Sequence, residues 1–430
     1  MRIAHLADPH VTEGARLADQ AATLAAVVDD ILAAEPDLIL VAGDLYGHEV
    51  PHRSTPRERA VLYPAIVRLA SQAPVVVVVG NHDVAEDVAG LQHLGGAWPI
   101  VVVADARAIT VDTLAGPCHV YAMAYPTKRA LLAGEAIEGG MAGAQRAIEE
   151  RLRVLLAMWG HRMRTRRAAA PAEAHVVLAH VQVSGCRTSG GEVLAGQEIE
   201  LTRHELDGLP ADYIALGHIH LRQEVAVRAW YPGSPWRNDF GEKDVKGWHL
   251  VHVGPVDVAR AHAPLGEGAY PAVPGERAAV YVEHHASPCR DFVTLHYRWA
   301  ADHDEGVPRW ITRPTDAEIA SCAGAEVKLV LVVPEQWVSG CPWADEVARV
   351  EALAHRVKQE RKIEPRLRMR APEVAAAIDA PTKMRAFWGT LATAPDANEQ
   401  AAAIDALAEI DTRTDEEIAA DSLAACGSAA

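Results

Sequence analysis

Apolar and polar positions alternate in a regular rhythm over the first half of the chain. Apolar runs of strand length recur at Ile3–Ala7, Leu38–Ala42, Val75–Val79, Ile100–Val103, Val120–Ala124, Val176–Ala179 and Tyr213–Leu216. Between them Ala18–Ala33 and Arg57–Ala70 carry apolar residues at helical spacing, and residues 129–167 read as one long helix. Tyr231-Pro232-Gly233-Ser234-Pro235 marks a turn, and Trp248–Val253 a closing strand. Strands that alternate with helices in this way predict a layered α/β fold.

The pattern changes around residues 263–275, where Pro and Gly accumulate and a domain boundary is expected. Strand-like stretches at Val280–His284, Phe292–Tyr297 and Glu326–Val333 are followed by a helix, Ala344–Lys358, and an extended piece, Ile363–Met369. The predicted organisation is a main domain over 1–262, a small α+β domain over 277–371, and a helical, acidic region over 372–430. A chain of 430 residues is long enough for more than one hydrophobic core. No internal repeat is visible.

Composition adds little to the fold but bounds the function. Half the residues are apolar and 23% are charged, which is ordinary for a globular protein. The formal charge of −17 excludes a uniformly basic surface. It leaves room for local basic patches and for a field inverted by bound cations. Two such patches stand out: Arg151, Arg153, Arg162, Arg164, Arg166 and Arg167, then Arg356, Lys358, Arg361, Lys362, Arg366, Arg368 and Arg370. The first reads equally as a track for a phosphate backbone or as a solvated face, and the second, in the small α+β domain, is a candidate guide for DNA. The six cysteines form no CxxC pair, so reduced thiols in the cytoplasm are expected. The first residues run directly into a motif, leaving no room for a signal peptide, and no apolar run is long enough to cross a bilayer.

The chemistry resides in five short motifs: Asp8-Pro9-His10, Gly43-Asp44, Gly80-Asn81-His82-Asp83, His180, and Gly217-His218-Ile219-His220. Each falls at or just past the carboxyl end of an expected strand, where open α/β sheets place ligands. Carboxylates, an amide oxygen and imidazoles together can hold two cations about 3.5–4 Å apart. Asp8 and His10, and again His218 and His220, stand two residues apart, so extended backbone would send both side chains of a pair to one face. In a chain with 21 histidines a lone one means little; the ordered set is what carries the assignment. Oxygen and imidazole donors without thiolate fit Mn²⁺ first, with Fe²⁺, Zn²⁺ or Mg²⁺ as alternatives.

The ordered set resembles the calcineurin-like metallophosphoesterase superfamily over roughly residues 1–255. The stretch from Tyr231 to Glu242 is similar to the SbcD-type nuclease subunit of the SbcCD DNA repair complex. The resemblance implies a layered αββα core with a smaller α+β capping-like domain and a helical C-terminal extension. It implies that Asp8, His10, Asp44 and His220 hold one ion, that Asp44, Asn81, His180 and His218 hold the other, and that His82 assists the leaving group. It also implies action on DNA ends, a coiled-coil ATPase of SbcC type as partner, and a homodimer. Nuclease members commonly carry a polar residue where Gly47 stands here, with His48 one step later. His48 and Arg237 are the substrate-binding candidates.

Two other readings compete with a Mn²⁺-dependent DNA nuclease subunit. One is a hydrolase of small phosphoesters or cyclic nucleotides on the same fold, which suits the acidic charge and Gly47. The other is a metal-free interaction scaffold, against which the intact ligand set argues.

Overall fold

Four consecutive valines, Val75–Val78, offer apolar side chains to both faces of a strand, so such a strand is stable only between two covering layers. The computed structural model satisfies that demand. It describes residues 1–48, 52–127, 140–190, 199–254, 269–270, 273, 278–301, 307–365, 374, 379–391 and 394–411. The strands are β1 (Arg2–Leu6), β2 (Leu38–Val41), β3 (Val75–Val78), β4 (Ile100–Val103), β5 (Ala106–Thr113), β6 (Gly116–Met123), β7 (Ala174–His180) and β8 (Gln182–Val183). There follow β9 (Glu200–Leu201), β10 (Tyr213–Gly217), β11 (Gln223–Ala226), β12 (Ala229–Tyr231), β13 (Gly247–Val253), β14 (Ala269–Tyr270) and β15 (Val280–Ala286).

One sheet has the order β14–β15–β13–β1–β2–β3–β4, the other β11–β12–β10–β7–β6–β5. Strands β1 to β4 are parallel, as are β6, β7, β10 and β12. The inner faces of the two sheets pack on each other through Leu38, Leu40, Val76, Val78, Val176 and Leu178, all buried. The outer face of the first sheet is covered by α1 (Leu17–Ala33) and α2 (Pro56–Leu69), through Val28, Ile31, Leu62 and Ile66. The longer α4 (Gly140–Ala169), after the short α3 (Ala85–Ala89), covers the second sheet with Ile148, Leu152, Trp159 and Met163. The layers therefore run α, β, β, α. Residues 129–139 of the expected long helix lie outside the described residues.

Two expectations are corrected. Val280–His284, expected beyond the domain boundary, is the start of β15 and pairs along its whole length with β13 in the first sheet. The boundary stretch itself falls mostly outside the described residues. The single helix expected over Ala344–Lys358 is instead a helix, Trp343–Glu351, followed by a strand, Arg356–Glu364. Arg356-Val357-Lys358 lacks the apolar spacing a helix needs, and the main chain turns at Leu353 and Ala354, whose N–H groups both donate to the Val350 carbonyl. A strand absent from the expectation, β5, forms a hairpin with β6; its alternate residues face solvent, so it lacks the unbroken apolar run of its neighbours.

The chain divides into two compact units. One comprises Met1–Tyr297, Thr312–Leu331 and Pro342–Glu360, and the other Arg298–Ile311, Val332–Cys341 and Arg361–Ala430. Both large sheets and all five motifs belong to the first. Within the second, Arg298 grips Glu364 with two guanidinium nitrogens, at 2.8 and 3.0 Å. Trp299 and Trp310 meet edge to face there, and helices Ala380–Gly389 and Ala397–Asp411 follow. No helix among the described residues is long and apolar enough to cross a membrane.

Candidate metal centre

Parallel strands deliver their carboxyl ends to one edge of each sheet, and the motifs sit there. Asp8 follows β1, Asp44 follows β2, and Asn81 and His82 follow β3; from the facing sheet come His180 at the end of β7 and His218 and His220 after β10. The chain leaves the strands sharply. Asp8, His10, Asp44 and His218 adopt φ of +52°, +44°, +50° and +105°, a left-handed region costly for side chains other than glycine. The extended, two-residue spacing expected for Asp8 and His10 is therefore replaced by tight turns. His218 and His220 also part company, each joining a different group of donors. Gly43, at φ +83°, precedes Asp44, and a Cβ there would strike the His180 ring.

Asp8, His10 and His220 form one cluster of donor atoms within 4.8 Å of one another, and Asp44, His180 and His218 form the other. Asp44 stands between them, its Oδ2 at 3.5 Å from His10 Nε2 and 3.3 Å from His180 Nε2. Asn81 Oδ1 lies 2.9 Å from His180 Nε2 and 3.0 Å from His218 Nδ1. The Asp8 and Asp44 carboxylates are buried, and their ion pairs among the described residues are with histidines alone. Buried anions need a compensating cation.

The donor set fits such cations in its hydrogen-bond chemistry. His180 Nδ1 donates to the Ala42 carbonyl at 2.7 Å, which turns Nε2 toward Asp44 and the Asn81 oxygen. His220 Nδ1 pairs with Glu242 at 2.8 Å, which turns its Nε2 toward His10 Nε2, 2.9 Å away. Lone pairs that converge with no hydrogen between them must share a proton or a metal ion.

Titration follows the same geometry. Burial pushes His10 down to about 3, helped by the neighbouring His220. Burial would also lower His180, but the Asp44 carboxylate overrides it and raises the imidazole to about 9. His220 is raised too, its burial outweighed by Glu242 and Asp8. Burial lifts the Asp8 carboxyl above its ordinary value, whereas His180 and His10 hold Asp44 below its own despite burial.

A supporting shell, which sequence reasoning missed, locks the ligands. Asp83 accepts the N–H groups of Gly80 and Tyr46, tying the loop after β3 to that after β2; burial and the nearby Asp44 raise its carboxyl to about 7. Glu242 holds His220 and is itself gripped by Lys246, at 2.7 Å. The Lys246 ammonium is fully buried and also donates to the His220 carbonyl at 3.0 Å. Glu242 and Lys246 stand four residues apart, but it is a non-helical connection, not a helix, that brings them together.

The remaining candidates are placed as follows. His82 donates its backbone N–H to Asp44 Oδ1 (2.9 Å), and its Nδ1 meets the His48 carbonyl at 2.6 Å, leaving Nε2 at the opposite edge of the ring. His48 reaches the centre through that carbonyl; its ring is buried against Glu58, 3.2 Å away. Glu58 also caps α2 by closing a capping box with Thr55. Arg237 is a strut, its guanidinium spent on the carbonyls of Glu242 and Arg290 and on Asp291. A Cβ at Gly47 would collide with Thr12 Oγ1 and the His10 carbonyl, so a threonine hydroxyl fills the space beside that residue.

Two clusters of carboxylate and imidazole donors at the joined carboxyl edges of a sheet sandwich are the arrangement expected of a metal-dependent hydrolase. Residues 1–222 match the family model described as calcineurin-like phosphoesterase, and the chain belongs to that family, whose members use a dinuclear metal centre. It is 28% identical over 276 residues to an uncharacterised metallophosphoesterase, YhaO, of Bacillus subtilis, a match covering 62% of this chain and 58% of that protein. It is 30% identical over 263 residues to the SbcD subunit of the SbcCD nuclease of Rhodobacter capsulatus, covering 55% of this chain and 62% of that protein. The chain thus spans under two thirds of either relative. The crystal structure of TT1561 of Thermus thermophilus aligns with 57% of this chain and 92% of its own, at 14% identity and a TM-score of 0.34.

Proposed function

We propose that this chain is a two-metal phosphodiesterase of the SbcD type, acting on DNA ends and using Mn²⁺. The observation that carries the reading is Asp44, whose carboxylate lies within reach of both donor clusters. Asp8, His10, Asp44 and His220 would hold one ion and Asp44, Asn81, His180 and His218 the other. Two divalent cations, when bound, lower the pKa of water and neutralise charge that builds on phosphoryl oxygens. The chain's own residues do the rest. Asp44 sets the spacing, Glu242 and Ala42 fix the ring orientations of His220 and His180, and the His48 carbonyl aims His82. His82 Nε2 would then donate a proton to the departing oxygen.

DNA as substrate is supported by the Rhodobacter relative and by the Tyr231–Glu242 stretch, whose Glu242 orients a ligand. In this reading the part of 277–371 that follows β15 acts as a cap, and residues 372–430 contact a coiled-coil ATPase or a second copy of the chain. A hydrolase of small phosphoesters is the second reading, favoured by the charge of −17 and by Thr12 beside Gly47. Purified protein with Mn²⁺, offered linear duplex DNA, hairpin DNA and bis-p-nitrophenyl phosphate, separates the two. DNA cleavage supports the nuclease; turnover of the small diester alone supports the rival.

A further inference from the structure

Past His220 the first unit opens a second, cationic pocket. It measures about 500 Å³ and is lined by Ser184, Gly185, Arg187, Arg203, Arg222 and Glu224, among others. Arg222 stands two residues beyond His220, and Ser184 four beyond His180, so the pocket adjoins the metal centre along the chain. Its wall is built rather than loose: Gln223 accepts the Arg187 N–H at 3.1 Å and donates to the Arg187 carbonyl at 2.8 Å. Glu224 is engaged with the Tyr270 hydroxyl and the Arg228 N–H. Arg203 makes an exposed contact with Asp207 at 3.5 Å, and Arg187 makes no ion pair with any described residue. Three arginines, Arg187, Arg203 and Arg222, therefore line a cavity whose one carboxylate, Glu224, is already engaged.

We propose that this pocket binds a phosphate flanking the scissile one in a polynucleotide strand. The inference rests on the nuclease reading and names where the strand runs. Guanidinium forks match phosphate oxygens two at a time. The volume lies in the range of small-ligand pockets, enough for a nucleotide segment. A small monoester or cyclic nucleotide has no second phosphate to place there, so the pocket would act on polymers alone.

The test compares wild type with Arg187→Glu/Arg203→Glu and Arg187→Lys, using a single-stranded oligonucleotide and bis-p-nitrophenyl phosphate with Mn²⁺. Fluorescence anisotropy gives binding of the oligonucleotide across a salt series. The double charge reversal is expected to raise Kd and KM for the oligonucleotide by about tenfold or more, and to flatten the salt slope by about 0.7 per lost phosphate contact. Turnover of the small diester should stay within about twofold, which also reports a folded protein, and Arg187→Lys should retain most binding. Unchanged oligonucleotide binding and salt slope in the double variant, with wild-type cleavage intact, would overturn the pocket alone. A wild-type protein that turns over the small diester but neither binds nor cleaves DNA would overturn the nuclease reading and the pocket with it.

Discussion

His10 and His220 point their Nε2 atoms at each other across 2.9 Å. With His10 held neutral by burial, at about 3, and His220 raised by Glu242 and Asp8, the proton between them belongs to His220 in the metal-free protein. The same holds for His180, at about 9.

Cation binding must therefore expel protons. At pH 7 His180 carries a proton that a metal ion displaces, so affinity falls as pH drops below about 9, and His220, raised by Glu242 and Asp8, adds to the competition as pH falls further. Calorimetry of Mn²⁺ binding at about pH 7 in buffers of differing ionisation enthalpy should report release of about one proton or more per pair of ions. A buffer-independent heat would contradict this assignment.

Glu242 positions His220, and Lys246 in turn holds Glu242. Glu242→Gln should weaken Mn²⁺ binding roughly 10–100-fold at the Asp8–His10–His220 cluster, while the Asp44–His180–His218 cluster keeps its affinity. Stepwise metal titration reads the two sites separately. Equal weakening of both would point to general loss of structure.

In the proposed mechanism His82 serves the leaving group rather than the metals. His82→Ala should keep full metal content and lose about 10²–10⁴-fold in DNA cleavage. The loss should be smaller for bis-p-nitrophenyl phosphate, whose leaving group needs little protonation. Equal losses on both substrates would remove His82 from proton transfer.

Much of this centre was legible in the order of motifs. Unbroken apolar runs such as Leu38–Val41 and Val75–Val78 can only be buried strands, and a polar residue just beyond each must lie at the sheet's edge. The turns that aim those residues were not legible. Asp8, His10 and Asp44 occupy left-handed backbone that their residue types do not announce, and it is held by long-range bonds such as His10 N–H to the Asp44 carbonyl, 2.9 Å. Glu242, Lys246 and Asp83 act through contacts made only after the loops meet. The region after Val280 was read less well, because its strands are half exposed and their alternation resembles other patterns, as at Arg356–Glu364.

His5, on β1 between the two sheets, makes stability depend on pH. Burial pushes its imidazole down to about 3, from an ordinary 6.5, against the opposing pull of a backbone hydrogen bond at Leu216; Nδ1 meets the Tyr213 hydroxyl at 2.9 Å. The unfolded chain binds the extra proton between pH 6.5 and 3, so stability falls as pH drops through that window and is unaffected above it. The contribution is about 1.4 kcal/mol per pH unit. Urea midpoints measured from about pH 7 to about pH 4.5 should decline less steeply in His5→Gln than in wild type, and parallel curves would contradict the assignment.

Anomalous diffraction from crystals grown with Mn²⁺ tests the central claim most directly. Two peaks about 3.5–4 Å apart, one among Asp8, His10 and His220, the other among Asn81, His180 and His218, with the Asp44 carboxylate touching both, are the predicted result. A single peak, or a pair that Asp44 does not join, would contradict it.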